Sequence, residues 1–308
     1  MAGKRQGPGT GRKPAPATSA NCGPGFDCLG LACTLYNTFT YEMIPEGIVI
    51  EALGQDAGLL PQGKNNLAAE SFYILWDKLG QPATGIKITS ETQVPVSRGL
   101  GSSSTAVVAG LMAANALAGS PLGQADLVTE ATLIEGHPDN VAPAILGGMT
   151  INVMEEGKVR SLKLAPAKPL KLVVLVPDMQ LSTAKARAAM PKAISVRDSV
   201  YSTSRAALLI GALATGRYEF LSTALQDKIH TPYRLPLIPG AQEALKRAQE
   251  AGAYQAVISG SGSTLMAYAP VDADLETIGR AMREPFTKRK IDTTVHLLDL
   301  DFEGAKIF

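Results

Sequence analysis

The chain is poor in the residues that build metal and disulfide frameworks: three cysteines and three histidines in 308 residues, with aromatics at only 5%. Cys22, Cys28 and Cys33 have no C-x-x-C spacing, which argues against a zinc site. An odd, small cysteine count fits a reducing compartment, and the plain reading of all three is buried small hydrophobes. No run of eighteen apolar residues occurs, so no membrane-spanning helix is expected. Neither sign of charge dominates: the formal net charge is +1, and Lys4, Arg5, Arg12 and Lys13 are the only charges in the first thirteen residues. Without those four the body is mildly acidic, and with so few aromatics it carries no nucleic-acid footprint.

An apolar content of 45% is ample for a buried core. Residues 1–13 read as a flexible basic tail, either a start-site extension or a basic transit remnant. With no apolar h-region it does not read as a secretory signal, and the expected location is the cytoplasm. Residues 14–166 and 167–308 read as two lobes, joined through the Pro-interrupted stretch "LAPAKP".

In the first lobe, "NTFTYEMI", "GIVIEAL" and "TGIKITSE" alternate like strands. "NNLAAESFYILWDKLG" reads as a helix stopped by Gly80. A further helix covers about Gln124 to Glu135, and "GGMTINV" and "KVRSLKL" follow as strands. In the second lobe, the continuous apolar run "LKLVVLVP" reads as a buried central strand. Helices are expected around 195–215, 218–225 and 240–251. "QAVISGSGSTLMAYA" reads as strand, Gly/Ser turn and strand, and a helix and a terminal strand close the chain. Strands and helices mixed in both halves, without a strict βαβ cadence, imply an α+β fold.

The sharpest local feature is "PVSRGLGSSST", residues Pro95, Val96, Ser97, Arg98, Gly99, Leu100, Gly101, Ser102, Ser103, Ser104 and Thr105, which runs straight into an Ala-rich helix. Gly99 and Gly101 permit a close backbone approach. The start of the helix offers unpaired N–H groups and a positive dipole end, which favour a polyphosphate. The pattern lacks the lysine of G-x-x-x-x-G-K-[ST] and is not G-x-G-x-x-G. Taken alone, such a loop serves equally as an N-cap and tight turn.

Four segments, "PATSANCGPGFDCLGLA", "PVSRGLGSSST", "EGHPDNVAPAILGG" and "ISGSGST", occur in the order and at roughly the separations found in the GHMP kinases, which the chain resembles from about Pro16 onward. Within that family the first and third segments, with "STAKARAAMP" and "PYRLPLIPG", look like those of members acting on L-homoserine. The resemblance implies the two-lobed GHMP kinase fold, with an N-terminal mixed lobe carrying the nucleotide loop and helix and a C-terminal antiparallel sheet with helices. It also implies ATP and magnesium as cofactors, L-homoserine as substrate, a homodimer, and no nucleic-acid or membrane partner.

Carried over residue by residue, the resemblance makes Arg187 and Arg234 the clamp for the amino-acid carboxylate, a task suited to bidentate arginine. Asn21 and Asp27 match groups that hold the substrate's other polar atoms, and His137 and Thr183 match further substrate contacts. Asp139 and Asn140 fall in the catalytic positions, Asn140 orienting the attacking hydroxyl. Whether Asp139 acts as a base stays open, because phosphoryl transfer depends chiefly on positioning and charge neutralisation. Magnesium is expected on Ser103, by family position, and on a carboxylate, Glu130, nine residues before Asp139, with Glu135 as the rival. The plain structural readings remain beside these: solvated surface arginines, an Asx turn at Asn21, a helix cap at Asp139, and a hairpin turn for "ISGSGST".

The chain departs from its relatives in having "TGRKPAP" where they have an apolar strand, Cys22 where leucine is common, and Ser263 where proline is common. None of these removes a chemical group. The rivals are a GHMP kinase for a different alcohol, such as mevalonate or shikimate, and a nucleotide-binding or regulatory protein that has lost catalysis.

Overall fold

A computed structural model describes residues 12–307 of the chain. The strands are β1 (Arg12–Ala20), β2 (Leu29–Ile44), β3 (Ile48–Gly54), β4 (Gly85–Thr92), β5 (Met149–Glu155), β6 (Lys158–Leu164), β7 (Lys171–Pro177), β8 (Gln255–Ile258), β9 (Leu265–Ala269) and β10 (Thr293–Leu298). The helices are α1 (Leu67–Lys78), α2 (Ser102–Leu117), α3 (Gln124–Glu135), α4 (Pro138–Leu146), α5 (Thr183–Ala188), α6 (Val196–Thr215), α7 (Leu221–Ala224), α8 (Thr231–Arg234), α9 (Ala241–Glu250) and α10 (Leu275–Thr287).

The first sheet runs β3-β4-β2-β5-β6, with β1 added on β2, and the second runs β10-β7-β9-β8. Every pairing is antiparallel except β3 with β4. The sixteen-residue β2 organises the first sheet because its length lets it serve several partners in turn. Thr38–Ile44 pair with β4, and Leu29–Leu31 pair with β5. This agrees with the α+β class read from the mixed pattern.

Three apolar layers hold the sheets and helices together. Phe72, Leu75, Trp76, Val107, Leu111 and Ile145 join α1, α2 and α4 to one face of the first sheet. Leu29, Leu31 and Met149 of that sheet meet Leu172, Val174, Val176, Met266 and Tyr268 of the second. The far face of the second sheet, with Val173, Leu175 and Leu265, is covered by Ala241, Ala244, Ile278, Met282 and Phe286 of α9 and α10. Successive side chains of a strand point to opposite faces, so β7, buried on both, shows an unbroken apolar run. That is why "LKLVVLVP" could be read as central.

The segment with no apolar strand pattern is nevertheless a strand. Of the tail expected over 1–13, residues 1–11 lie outside the described ones, while Arg12 and Lys13 already pair with Thr40 and Phe39 of β2. Pro14 and Pro16 are tolerated because β1 has β2 as its one strand partner among the described residues, and an edge strand needs only half its donors. The register shifts between Pro16 and Ala17, as a bulge does. Three other elements escaped the periodicity reading: the first half of β2, and the short helices α5 and α8.

Close packing of α4 on β2 sets the height of the residues at the start of α4. A Cβ at Gly30 would lie 1.7 Å from the Asp139 carbonyl oxygen and 3.0 Å from Pro143 Cγ, so β2 must have glycine there. Gly30→Ala is expected to lower the unfolding free energy by about 1–3 kcal/mol through overpacking. A urea denaturation curve with an unchanged midpoint would show that α4 tolerates the methyl group.

Candidate active site

A cavity of about 430 Å³ runs along the joint between the two sheets. At one end its wall is apolar, with Phe39, Leu59, Pro61, Leu67 and Ile88. At the other end Asn21, Asp27, His137, Asp139, Arg187 and Arg234 converge. The glycine-rich loop lies between them, with Val96, Ser97, Arg98, Gly99, Gly101, Ser102 and Ser103 on the wall.

The loop is shaped by contacts that leave no space for side chains. Gly99 has φ of +83°, and a Cβ there would fall 2.3 Å from the Ser259 carbonyl oxygen. Gly101 is the N-cap of α2 with φ of +67°, and its Cβ would meet Thr18 Oγ1 at 2.0 Å. No side chain among the described residues caps the first turn of α2. Its leading N–H groups and the positive end of the helix dipole are therefore available to an anion in the cavity.

Four loop residues expected at the nucleotide do not line the cavity. Pro95 and Leu100 are buried, Thr105 Oγ1 donates to the Ser102 carbonyl, and Ser104 Oγ donates to Glu135 Oε1 at 3.2 Å. Arg98 borders the cavity, but its guanidinium is engaged elsewhere. It pairs with Asp56 at 3.3 Å and Asp178 at 2.6 Å, and its Nε donates to the Pro177 carbonyl. Arg98 thus pins the loop to the end of β7.

The segment "ISGSGST" has a definite structural task. Ser259 Oγ lies 2.6 Å from the Gly99 carbonyl and 2.9 Å from Ser19 Oγ. The Thr264 N–H donates to the Arg98 carbonyl and the Gly260 N–H to the Ala20 carbonyl. Three segments distant in sequence are thereby stitched into one wall. Thr18 belongs to the same stitching: its N–H donates to the Leu100 carbonyl, and its hydroxyl donates to Asn140 Oδ1 at 2.9 Å. With Oδ1 engaged in this way, the Asn140 amide is turned to offer its NH₂ elsewhere. Thr18 and Ser259 were not among the residues expected at the site, although both stand in the quoted motifs. Asp56, which also accepts the Val96 N–H, gave no signal in the sequence.

At the charged end, Asn21 and Asp27 sit on a tight loop at φ of +68° and +54°, a region that Asn and Asp enter more readily than most residues. Asn21 Oδ1 accepts the Asp27 N–H, and its Nδ2 donates to the Gly260 carbonyl. Asp27 takes a bidentate pair from Arg187, at 3.1 and 2.8 Å. Thr183, on α5 with Arg187, is exposed and 3.5 Å from Ser261 Oγ.

Arg234 is different: it is 2% exposed, and its Nη1 donates to the Gly260 carbonyl. Its Nε has no partner, and no carboxylate pairs with it among the described residues. Burial, and then the nearby Arg187, pull its pKa below the ordinary arginine value. A buried cation with one carbonyl partner is costly unless an anion joins it. This is the strongest sign of a ligand carboxylate.

Asp139, 1% exposed, bonds His137 Nδ1 through Oδ1 at 2.6 Å. Asp27, His137 and Asp139 offer polar atoms within 4.8 Å of one another. Arg187 already occupies Asp27, and His137 engages Asp139. The cluster is therefore better suited to receiving a cationic group at hydrogen-bond range than to caging a metal.

The two carboxylates weighed as metal ligands are placed unequally. Glu130 pairs with Lys78 across α3 and α1 at 2.6 Å, and neither it nor Glu135 lines the cavity. Glu135 reaches Ser104 at the start of α2, next to Ser103, which faces the cavity. The Ser104 bond thus ties Glu135, and not Glu130, to the start of α2.

Residues 66–148 match the family model described as the GHMP kinases N terminal domain, and residues 208–288 match that of the GHMP kinases C terminal. A homoserine kinase of Carboxydothermus hydrogenoformans is 41% identical over 290 residues, 94% of this chain and 94% of that protein. One of Nostoc sp. is 43% identical over 291 residues, covering 94% and 96%. The crystal structure of homoserine kinase from Cytophaga hutchinsonii superposes with a TM-score of 0.89 at 30% identity, over 100% of both chains. An L. major mevalonate kinase in complex with R-mevalonate has a TM-score of 0.73 at 17% identity, a likeness of fold alone.

Bonding to Asp139 lifts the His137 pKa above the ordinary 6.5. The stabilisation from this pair is thus complete below that value and fades as pH rises through the raised one. An NMR titration should place His137 above 6.5, and His137→Gln should remove that part of the fall in stability. A titration midpoint at or below the ordinary value would mean that the Asp139 bond does not hold in solution.

Proposed function

The chain belongs to the GHMP kinase family, and on that premise we propose that it transfers the γ-phosphoryl group of ATP to the side-chain hydroxyl of L-homoserine, giving O-phospho-L-homoserine for threonine biosynthesis. The carrying observation is the buried Arg234, which has no carboxylate partner among the described residues. It stands beside an Asp27–Arg187 pair that offers one charge of each sign. A zwitterionic alcohol satisfies all three groups: its carboxylate joins the two arginines, and its ammonium joins Asp27. Mevalonate and shikimate carry no ammonium and would leave Asp27 without a second cation.

In this reading the apolar end of the cavity takes the adenine, and the uncapped start of α2 takes the phosphates. In it Ser103 and Glu135, which bonds the adjacent Ser104, would hold magnesium, a hydroxyl and a carboxylate being hard-oxygen donors that this ion accepts. Magnesium held there would neutralise charge on the phosphates. Asn140, its amide fixed by Thr18, orients the hydroxyl of the acceptor. In this reading Asp139, its Oδ1 bonded to His137, accepts the hydroxyl proton. Transfer through a loose transition state rests on such positioning. Magnesium as the ion, a homodimer, a cytoplasmic setting and the lack of nucleic-acid and membrane partners complete the reading. They rest on family likeness and composition; among the described residues no helix is long and apolar enough to cross a membrane.

A coupled ADP-release assay across L-homoserine, mevalonate, shikimate and galactose tests the substrate. Turnover of L-homoserine in clear preference is expected, and preference for mevalonate refutes the reading, as does ATP binding with no transfer to any alcohol. In the same assay Arg234→Ala should raise the KM for L-homoserine by a margin worth about 2–5 kcal/mol; an unchanged KM removes Arg234 from the site.

Glu135→Gln should raise the magnesium concentration needed for half-maximal rate by about tenfold or more. Glu130→Gln should leave it nearly unchanged, since an exposed pair with Lys78 contributes little. The opposite ranking would return the metal to Glu130.

A further inference from the structure

One side chain of the Asn21–Asp27 loop has no part in the chemistry described so far. The ring centre of Phe26 lies 5.2 Å from the guanidinium carbon of Arg234 and 5.7 Å from that of Arg187. It also lies 5.4 Å from the ring centre of His230, with the two planes 28° apart. Both arginines that face the cavity from the second sheet's side of the joint therefore share one aromatic ring.

That ring is anchored from behind. His230 is fully buried, and its Nε2 lies 2.8 Å from the Gly23 carbonyl, within the loop that carries Phe26. A carbonyl only accepts, so Nε2 holds the proton. Burial keeps the imidazole pKa below 6.5, against the opposing pull of Asp227. Asp227 accepts the N–H groups of Ile229, His230 and Thr231, each at 2.8 Å, and the Ser202 hydroxyl at 2.9 Å. The Arg234 N–H in turn donates to the His230 carbonyl. Loop, ring and α8 form one fixed unit.

We propose that Phe26 is a positioning residue that holds Arg187 and Arg234 side by side as a receptor for the substrate carboxylate, and so sets the preference for an amino acid over a carboxylate-free amino alcohol. Two guanidinium groups converging on one ligand repel each other, and the negative face of an aromatic ring attracts both. A guanidinium met by a ring keeps its in-plane N–H donors for an anion. The ring thus steadies the pair before substrate arrives and takes none of the N–H donors left over from Asp27 and Gly260, Arg234 Nε among them. This assignment rests on the L-homoserine reading above.

The test compares wild type, Phe26→Leu and Phe26→Tyr with two ligands. L-homoserine carries the carboxylate; 3-aminopropan-1-ol keeps the hydroxyl and ammonium without it. The amino alcohol is measured as an alternative substrate, or as a competitive inhibitor where its turnover is too slow to follow. Phe26→Leu should raise the KM for L-homoserine about tenfold. The kcat should stay within about twofold, and neither the KM for ATP nor the constant for 3-aminopropan-1-ol should move appreciably. Phe26→Tyr, which keeps the ring, should restore the KM. If Phe26→Leu weakens both ligands equally, or if Phe26→Tyr fails while its thermal melt matches wild type, the positioning role is overturned. Should Phe26→Leu not fold, the Phe26→Tyr comparison decides alone. Wild-type protein that turns over 3-aminopropan-1-ol as well as L-homoserine overturns the carboxylate receptor itself. Wild-type protein that ignores L-homoserine overturns the functional reading instead, so the two failures are told apart by the unmutated enzyme.

Discussion

Everything at the site depends on a single hydroxyl, Ser259 Oγ, placed between the Gly99 carbonyl and Ser19 Oγ. It joins the end of β1, the phosphate loop and the turn between β8 and β9, three segments that share no local connection. Around it the main chain adds the Thr18, Gly260 and Thr264 amide bonds to Leu100, Ala20 and Arg98. Buried backbone groups must find partners, and here they find them across the joint between the sheets. The phosphate loop keeps its shape because its neighbours leave it no other. Gly99 and Gly101 are required by those same contacts as much as by any ligand.

Against this rigid wall the charges are arranged in unequal states of satisfaction. Arg98 is fully used, paired with two carboxylates and a carbonyl, and acts as a strut. Arg187 and Asp27 neutralise one another at the exposed rim of the cavity. Arg234 is buried and short of a counter-charge. The gradient from satisfied to unsatisfied runs toward the place where a zwitterion would sit, and desolvation strengthens each interaction there. His137 and Asp139, fixed on one another, close the far side.

Helix α2 was legible because a glycine-rich loop, a serine run and an alanine-rich stretch each announce a helix start without outside help. The strand β7 was legible because burial on both faces leaves an apolar run. The strand β1 was not, because Pro14 and Pro16 hide the alternation, and only the long partner β2 makes a strand of it. The helices α5 and α8 are too short for a period to show, yet they carry Arg187 and Arg234. The resemblance to a family supplied those two residues; periodicity did not. Arg98 was read as part of the nucleotide loop, and nothing in its neighbours foretold that Asp56 and Asp178 would claim its charge.

The sequence by itself determined the glycine loop and the helix it opens, because backbone freedom at Gly99 and Gly101 and the helix start at Ser102 are local properties. The order of four motifs supplied the reaction class through family resemblance. The sequence also determined the longer strands and helices of both halves, though not β1, the first half of β2, α5 or α8. Tertiary structure alone decided which charged groups are spent and which are available. Glu130 and Glu135 are both acidic residues on one helix, and only packing turns one to Lys78 and the other to the start of α2. Coulomb and hydrogen-bond energies depend on distance and burial, and neither quantity is written in the order of residues.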